Sequence, residues 1–207
     1  EIVVVDDGST DDTADVLAEY GRRWAGFPLR TIRSPGVGIP GAVNAGAAAA
    51  SGEIIIRLDA HSCPDADYVR QSVKTLQAEN AVGVTGGLWE IAPGAATRTA
   101  AAIARAVAHP LGAGDAMYRI GRTLAESRDV DTVPFGCFRK SLWQDVGGFN
   151  ERLLSNEDYE FNYRVRRAGH RVILNPRIRS TYFARATFGT LSRQYFRYGW
   201  WKAQMLR

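Results

Sequence analysis

The sequence predicts an α/β domain with a mostly parallel central sheet flanked by helices. Two observations carry that prediction. Short continuous apolar runs, "EIVVVD", "EIIIRLD" and "AVGVTGGLWEI", alternate with amphipathic stretches through the first half of the chain. That is the pattern of strands buried on both faces and joined by crossover helices. Two of the runs end in acid, at Asp6–Asp7 and at Asp59, at the strand ends where open α/β sheets bind ligands. A chain of 207 residues, 45% of them hydrophobic, suits one sizeable domain with its own core.

Each element follows in order. "EIVVVD" is a buried strand. "GSTDDTADVLAEYGRRW" is a helix with Ser9 or Thr10 as N-cap, acids in its first turn, and Arg22 and Arg23 near its end, running to Trp24. "LRTIRS" is a weaker strand, "PGVGIPG" a loop, and "AVNAGAAAASG" a small-residue helix closed by Gly52. "EIIIRLD" is a second strand, "DADYVRQSVKTLQAEN" an amphipathic helix capped by Asp65, and "AVGVTGGLWEI" a third strand. Residues 95–131, rich in Ala, Gly and Arg, predict a helix followed by a mobile loop. After "VPFGCFRKSLWQDVGGF", the stretch "NEDYEFNYRVRRAGH" is a helix with Phe161 and Val165 on a core-facing stripe. A strand "RVILNP" and an aromatic, basic helix complete the chain. No repeat or linker divides it, so 1–207 reads as one domain. It opens without Met inside a strand and stops in mid-pattern at "WWKAQMLR", as expected of a domain excised from a longer protein.

Composition narrows the partners. The formal charge of +4 suits an acidic small substrate or a membrane surface. No basic run interleaved with aromatics forms a nucleic-acid platform, so no nucleic acid is expected. Cys63 and Cys137 are the two cysteines. They predict no disulfide framework, point to a reducing compartment, and read as small apolar fillers. No stretch reaches the roughly 20 apolar residues that span a bilayer.

"GVGIPG", Gly36 to Gly41, matches G-x-G-x-x-G between a strand and a helix, with Asp59 ending the next strand 18 residues on. An NAD-type dinucleotide-binding oxidoreductase is the alternative function this supports. It ranks second, because Pro35 precedes the glycines, Pro40 supplies no N–H, and "LRTIRS" is polar for a central strand. The glycines read as a turn and a close helix–strand contact.

The acidic strand ends raise a sharper question. Carboxylates facing one another repel unless a cation or a hydrogen-bonding ligand lies between them. A nucleotide with a divalent metal meets that requirement, since aspartate accepts from a base N–H or a ribose hydroxyl, and carboxylate or imidazole holds Mg²⁺ or Mn²⁺ against a diphosphate. Asp6 and Asp7 also suit a plain turn with a helix cap, and His61 a loop histidine bonded to backbone. Glu157 and Asp158 open a helix, where acids compensate the dipole without any chemistry.

Together "EIVVVDDGSTDDT", "NAGAAAASGEIIIRLDAHS" and "DVGGFNERLLSNEDYEFNYRVRRAGHRV" resemble the inverting family-two glycosyltransferases of the GT-A fold, over nearly the whole chain. "DAH" with "RQYFRYGWWK" resembles the exopolysaccharide branch, such as the succinoglycan-type glucosyltransferases. The resemblance implies a GT-A sheet with a Rossmann-like front half, residues 1–95 binding nucleotide and residues 96–207 binding acceptor and carrying catalysis. It implies transfer of a hexose, glucose foremost, from a UDP-sugar to a lipid-linked or polysaccharide acceptor at the cytoplasmic face of the cell membrane. The other rival is a non-catalytic sugar-nucleotide-binding domain.

Residue by residue, the resemblance makes Asp7 the acceptor of the base edge and Asp59 a contact to ribose or metal. His61 stands where the family's second metal-binding aspartate usually is, which favours Mn²⁺ over Mg²⁺. Asn44 and Gly46 match the family's "N-x-G" helix and contribute to the nucleotide site, with Val43 where an arginine is frequent. Asp158 becomes the catalytic base, and Glu157 beside it a contact on the acceptor and diphosphate side. Gln194 and Arg197 match a degenerate Q-x-x-R-W motif, Gln194 toward the acceptor sugar and Arg197 toward the diphosphate. Trp200, Trp201 and Lys202 suit the water–lipid boundary.

Overall fold

A computed structural model describes residues 1–23, 26, 28–121 and 123–205. In chain order it contains β1 (Ile2–Asp6), α1 (Thr13–Arg23), β2 (Leu29–Arg33), α2 (Gly38–Ala49), β3 (Ile54–Ile56), β4 (Ser62–Pro64), α3 (Tyr68–Ala78), β5 (Val82–Pro93) and α4 (Arg98–Val107). Then follow α5 (Pro110–Ala113), α6 (Met117–Ile120), β6 (Arg128–Asp129), β7 (Cys137–Arg139), α7 (Lys140–Asp145), α8 (Glu157–Arg167), β8 (Arg171–Ala184) and α9 (Phe188–Met205). The expected end of α1 at Trp24 lies outside the described residues.

The sheet is mixed rather than mostly parallel. β1 and β2 form a parallel pair, and the larger sheet runs β3-β7-β5-β8-β4 with β6 also on β8. Within it only β5 and β8 run parallel; β7 is antiparallel to both β3 and β5, and β4 and β6 are antiparallel to β8. Parallel neighbours need a crossover connection, whereas β7 returns antiparallel between β3 and β5. β7 also places a strand of residues 96–207 between two strands of residues 1–95.

Alternation along the strands sorts the core onto two faces. Cys137 and Ile173 pack with Leu76 of α3 on one face, while Phe138, Val172 and Leu174 pack with Phe161 and Val165 of α8 on the other. The core-facing stripe expected on α8 is therefore in place. At the far end of β5, Trp89 stacks on Tyr182 of β8 with ring centres 4.2 Å apart. The β5–β8 register jumps between Gly86 and Leu88, where β8 bulges through Asn175-Pro176. A Cβ on Gly87 would stand 1.8 Å from the Ile178 carbonyl oxygen, so glycine alone allows that approach.

Two boundaries shift. α2 begins at Gly38, inside the predicted loop, and α3 begins at Tyr68 with Asp67, not Asp65, at its N-cap. Cys137 is a buried filler as expected, whereas Cys63 is exposed.

Candidate active site

β3 stops at Ile56, and the next side chain organises the acids. Arg57 donates through Nε to Asp59 Oδ1 at 2.9 Å and through Nη2 to Asp59 Oδ2 at 3.2 Å and Glu157 Oε1 at 2.9 Å. Its side chain is 8% exposed. One guanidinium thus holds together two carboxylates that would otherwise repel. Sequence reasoning missed it, although an arginine inside "IIIRLD" was itself a signal.

Asp158 follows in the first turn of α8. Its Oδ1 accepts the Tyr159 N–H at 2.7 Å. Burial and the neighbouring charge of Glu157 push the Asp158 carboxyl up to about 6, against the pull of Arg57. A carboxylate in that range is poised to take a proton near neutral pH.

Asp158 borders a void of about 10 Å³ and two larger cavities. One, of about 290 Å³, is lined by Asp59, His61 and Glu157, with Arg119, Arg185 and Arg197 among its cations. The Trp89–Tyr182 stack lines it too. The other, of about 880 Å³, shares Tyr118, Asn156 and Asp158 with the first and extends over Asp129, Asp131 and Lys202. Its arginines are mostly committed, Arg166 to Asp131 and Arg171 to Asp129 and Glu79. Two residues beside Asp158 or across from it carry positive φ without being glycine, Asn156 (64°) and Phe135 (49°). Both line the smaller cavity, where such local strain concentrates in working sites.

The structure therefore brings Asp59, His61, Glu157, Asp158, Gln194 and Arg197 to one cavity. Gln194 donates to the hydroxyls of Tyr182 and Tyr198. Lys202 leaves the expected lipid-facing set: its Nζ lies 3.0 Å from the centre of the Tyr159 ring, on the larger cavity.

Two expected nucleotide contacts stand elsewhere. Asp7 accepts from Ser34 Oγ, from Val37 N at 2.8 Å and from Gly38 N at 2.7 Å, so it caps α2. Burial pushes its carboxyl up, but these donors outweigh that and hold it below the usual range. The Gly36 N–H adds to the same set of donors. Asn44 has no capacity left for a nucleotide. Its Nδ2 donates to the Phe149 carbonyl and to Glu151, and its Oδ1 accepts from Phe149 N and Trp143 Nε1. The "N-x-G" and "GGF" segments are thus two halves of one clasp. Gly148, at φ +69°, passes so close that an added Cβ would meet Asn44 Oδ1 at 2.9 Å. The clasp fixes the chain leading to Glu157 and Asp158.

The same capping answers the dinucleotide alternative. N–H groups of Val37 and Gly38, which a phosphate would need, already serve the Asp7 carboxylate, and that charge repels a phosphate.

A divalent cation fits the donors only in part. Asp59 and His61 line one wall, and Ser62 bonds back to the Asp59 carbonyl through both N and Oγ. The His61 ring meets Tyr182 edge-on at 5.1 Å; the ring's desolvation lowers its pKa against the pull of Asp59, although the residue as a whole is exposed. Among the described residues no cluster of three His, Cys, Asp or Glu side chains could hold a metal alone. A carboxylate and an imidazole still suit Mn²⁺ or Mg²⁺ where phosphate oxygens and water complete the set.

Comparison with known proteins agrees with the geometry. The sequence profile of "Glycosyl transferase family 2" matches residues 1–143. The succinoglycan biosynthesis protein ExoA of Rhizobium meliloti is 30% identical over 96% of this chain and 58% of its own length. A Methanococcus voltae dolichyl N-acetyl-alpha-D-glucosaminyl phosphate 3-beta-D-2,3-diacetamido-2,3-dideoxy-beta-D-glucuronosyltransferase is 25% identical over all of this chain and 64% of its own. The chain thus spans about three fifths of these relatives. Among solved structures, GalNAc-T7 with UDP, GalNAc and Mn²⁺ superposes with TM-score 0.69 at 18% identity, over 91% of this chain and 38% of its own. The mannosyltransferase PcManGT of Pyrobaculum calidifontis, with GDP-Man and Mn²⁺, gives 0.65 at 21% identity, over 87% and 47%. These neighbours share the GT-A fold. With its profile match covering well over half the residues, the chain belongs to glycosyl transferase family 2.

Proposed function

We propose that this domain catalyses inverting transfer of a hexose, glucose foremost, from a UDP-sugar to a lipid-linked or polysaccharide acceptor. The observation that carries the reading is the position of Asp158 where the two cavities meet. The smaller cavity takes the donor and the larger admits the acceptor. The acceptor hydroxyl attacks the anomeric carbon as the bond from that carbon to the diphosphate oxygen breaks. Asp158 takes the hydroxyl proton, and the diphosphate departs with the electron pair. Asp7 accepts from the base, Asp59 contacts ribose or metal, and Gln194 and Arg197 serve acceptor sugar and diphosphate. Arg57 pairs with Asp59 and Glu157 and holds both in place.

The family and its Mn²⁺-bearing neighbours imply a cation. Asp59 and His61 would hold it, and when bound it supplies positive charge to the diphosphate.

α9 supports a membrane-facing placement. Phe188, Phe196 and Trp200 are exposed along one side of the helix, as in helices that lie in a lipid interface. No described helix is long and apolar enough to cross a membrane. The cytoplasmic face of the cell membrane is the setting we assign.

The test is Asp158→Asn. Release of UDP from UDP-glucose in the presence of acceptor and Mn²⁺ should fall by about 10²–10⁴-fold, with UDP affinity retained. Unchanged turnover removes Asp158 as the base.

A further inference from the structure

Two buried arginines line the smaller cavity, and they differ in what neutralises them. Arg57 has Asp59 and Glu157. Arg119, in α6, is only 8% exposed and has no carboxylate partner among the described residues. Its Nε makes no hydrogen bond. The surrounding polar groups are phenols, Tyr118 and Tyr198 nearest. The guanidinium lies over two aromatic faces, 5.4 Å from the Trp89 ring centre and 5.5 Å from that of Tyr118.

Burying a lone ion is costly, and ring faces offset only part of that cost. A cation kept in such a setting is matched by an anion that arrives from outside. The planar fork suits two phosphate oxygens at once. Trp89 and Tyr118 hold it at fixed orientation, so little order remains to be imposed on binding.

We propose that Arg119 binds the diphosphate of the donor nucleotide and takes up the negative charge that gathers on it as the sugar departs. This rests on the nucleotide-sugar reading above and adds to it a residue that no motif match supplied. Because diphosphate charge rises as the bond to the sugar breaks, the contact strengthens in the transition state and so contributes to rate as well as to binding.

The test titrates UDP and UMP, with Mn²⁺, into the wild-type domain, Arg119→Met and Arg119→Lys. Arg119→Met should weaken UDP binding by about 10–100-fold, the span of a hydrogen bond to a charged group, and leave UMP nearly unchanged. Arg119→Lys should fall between, since a point charge replaces the fork. A UDP-to-UMP ratio equal to wild type in both variants overturns the proposal while leaving the nucleotide-sugar reading intact. Wild-type protein that fails to prefer UDP over UMP overturns both. UDP binding unchanged in Arg119→Met, with selective loss of a UDP-hexuronate over UDP-glucose, overturns it too and gives Arg119 to a sugar carboxylate. If Arg119→Met does not fold, Arg119→Lys alone decides, and UDP affinity equal to wild type refutes the contact.

Discussion

The acids after β1 and the acid after β3 look alike in sequence and end in opposite arrangements. Asp7 is satisfied by neutral donors from the next loop, a hydroxyl and two backbone N–H groups. Asp59 is met by a full charge, Arg57, which also reaches Glu157 at the start of α8. Neutral dipoles hold a carboxylate where it stands. A guanidinium with more donors than one carboxylate can use recruits a second acid across the sheet. Two of the three acids that line the cavity, Asp59 and Glu157, are therefore ones that an arginine gathers.

The sharpest way to break this comparison is Arg57→Met. It leaves two part-buried or buried carboxylates without their cation, and should cost about 3–5 kcal/mol of unfolding free energy by urea titration. A loss near that of a surface substitution would mean the cluster stands without it. Next comes Asp158. Its carboxyl is raised to about 6, so the fold holds that proton more tightly than the unfolded chain, and ionisation above that range lowers stability. Asp158→Asn should therefore raise Tm at pH 8, by about 2–4 °C for each kcal/mol relieved, and have little effect at pH 4. Wild-type kcat/KM should climb about tenfold per pH unit up to about pH 6 and then level off, because the base must be ionised. A profile flat through that window dissociates the raised carboxyl from catalysis. The smallest effect belongs to the other strand end. Asp7→Ala should cost about 1 kcal/mol, the worth of a helix cap, with faster amide exchange confined to Val37 and Gly38. Global loosening instead would place Asp7 in the same class as Arg57.

Periodicity made much of this molecule legible. β1, β3 and β5 are apolar runs, and α8 carries its Phe161–Val165 stripe where 3.6-residue spacing puts it. Pairing direction was not legible, because β7 is three residues long and antiparallel to both neighbours for reasons of chain path rather than composition. α2 starts early because Asp7, more than thirty residues earlier, supplies its cap; propensity in "GVGIPG" could not announce that. Arg119 was hidden in an Ala/Gly/Arg-rich stretch that reads as a mobile loop, its setting completed by Trp89 of β5 and Tyr198 of α9, far away in sequence. Asn44 was found by resemblance, but its contacts are those of a clasp.

The insertion of β7 between β3 and β5 bears on synthesis. A nascent polypeptide that has emerged only through residue 95 has both outer strands and nothing to join them, since the bridging strand Cys137–Arg139 is still inside or ahead of the ribosome. Until it arrives, the facing backbone groups of Ile54–Ile56 and Val84–Thr85 are open edges, available to any other extended segment. Closure of the sheet is a late event by construction.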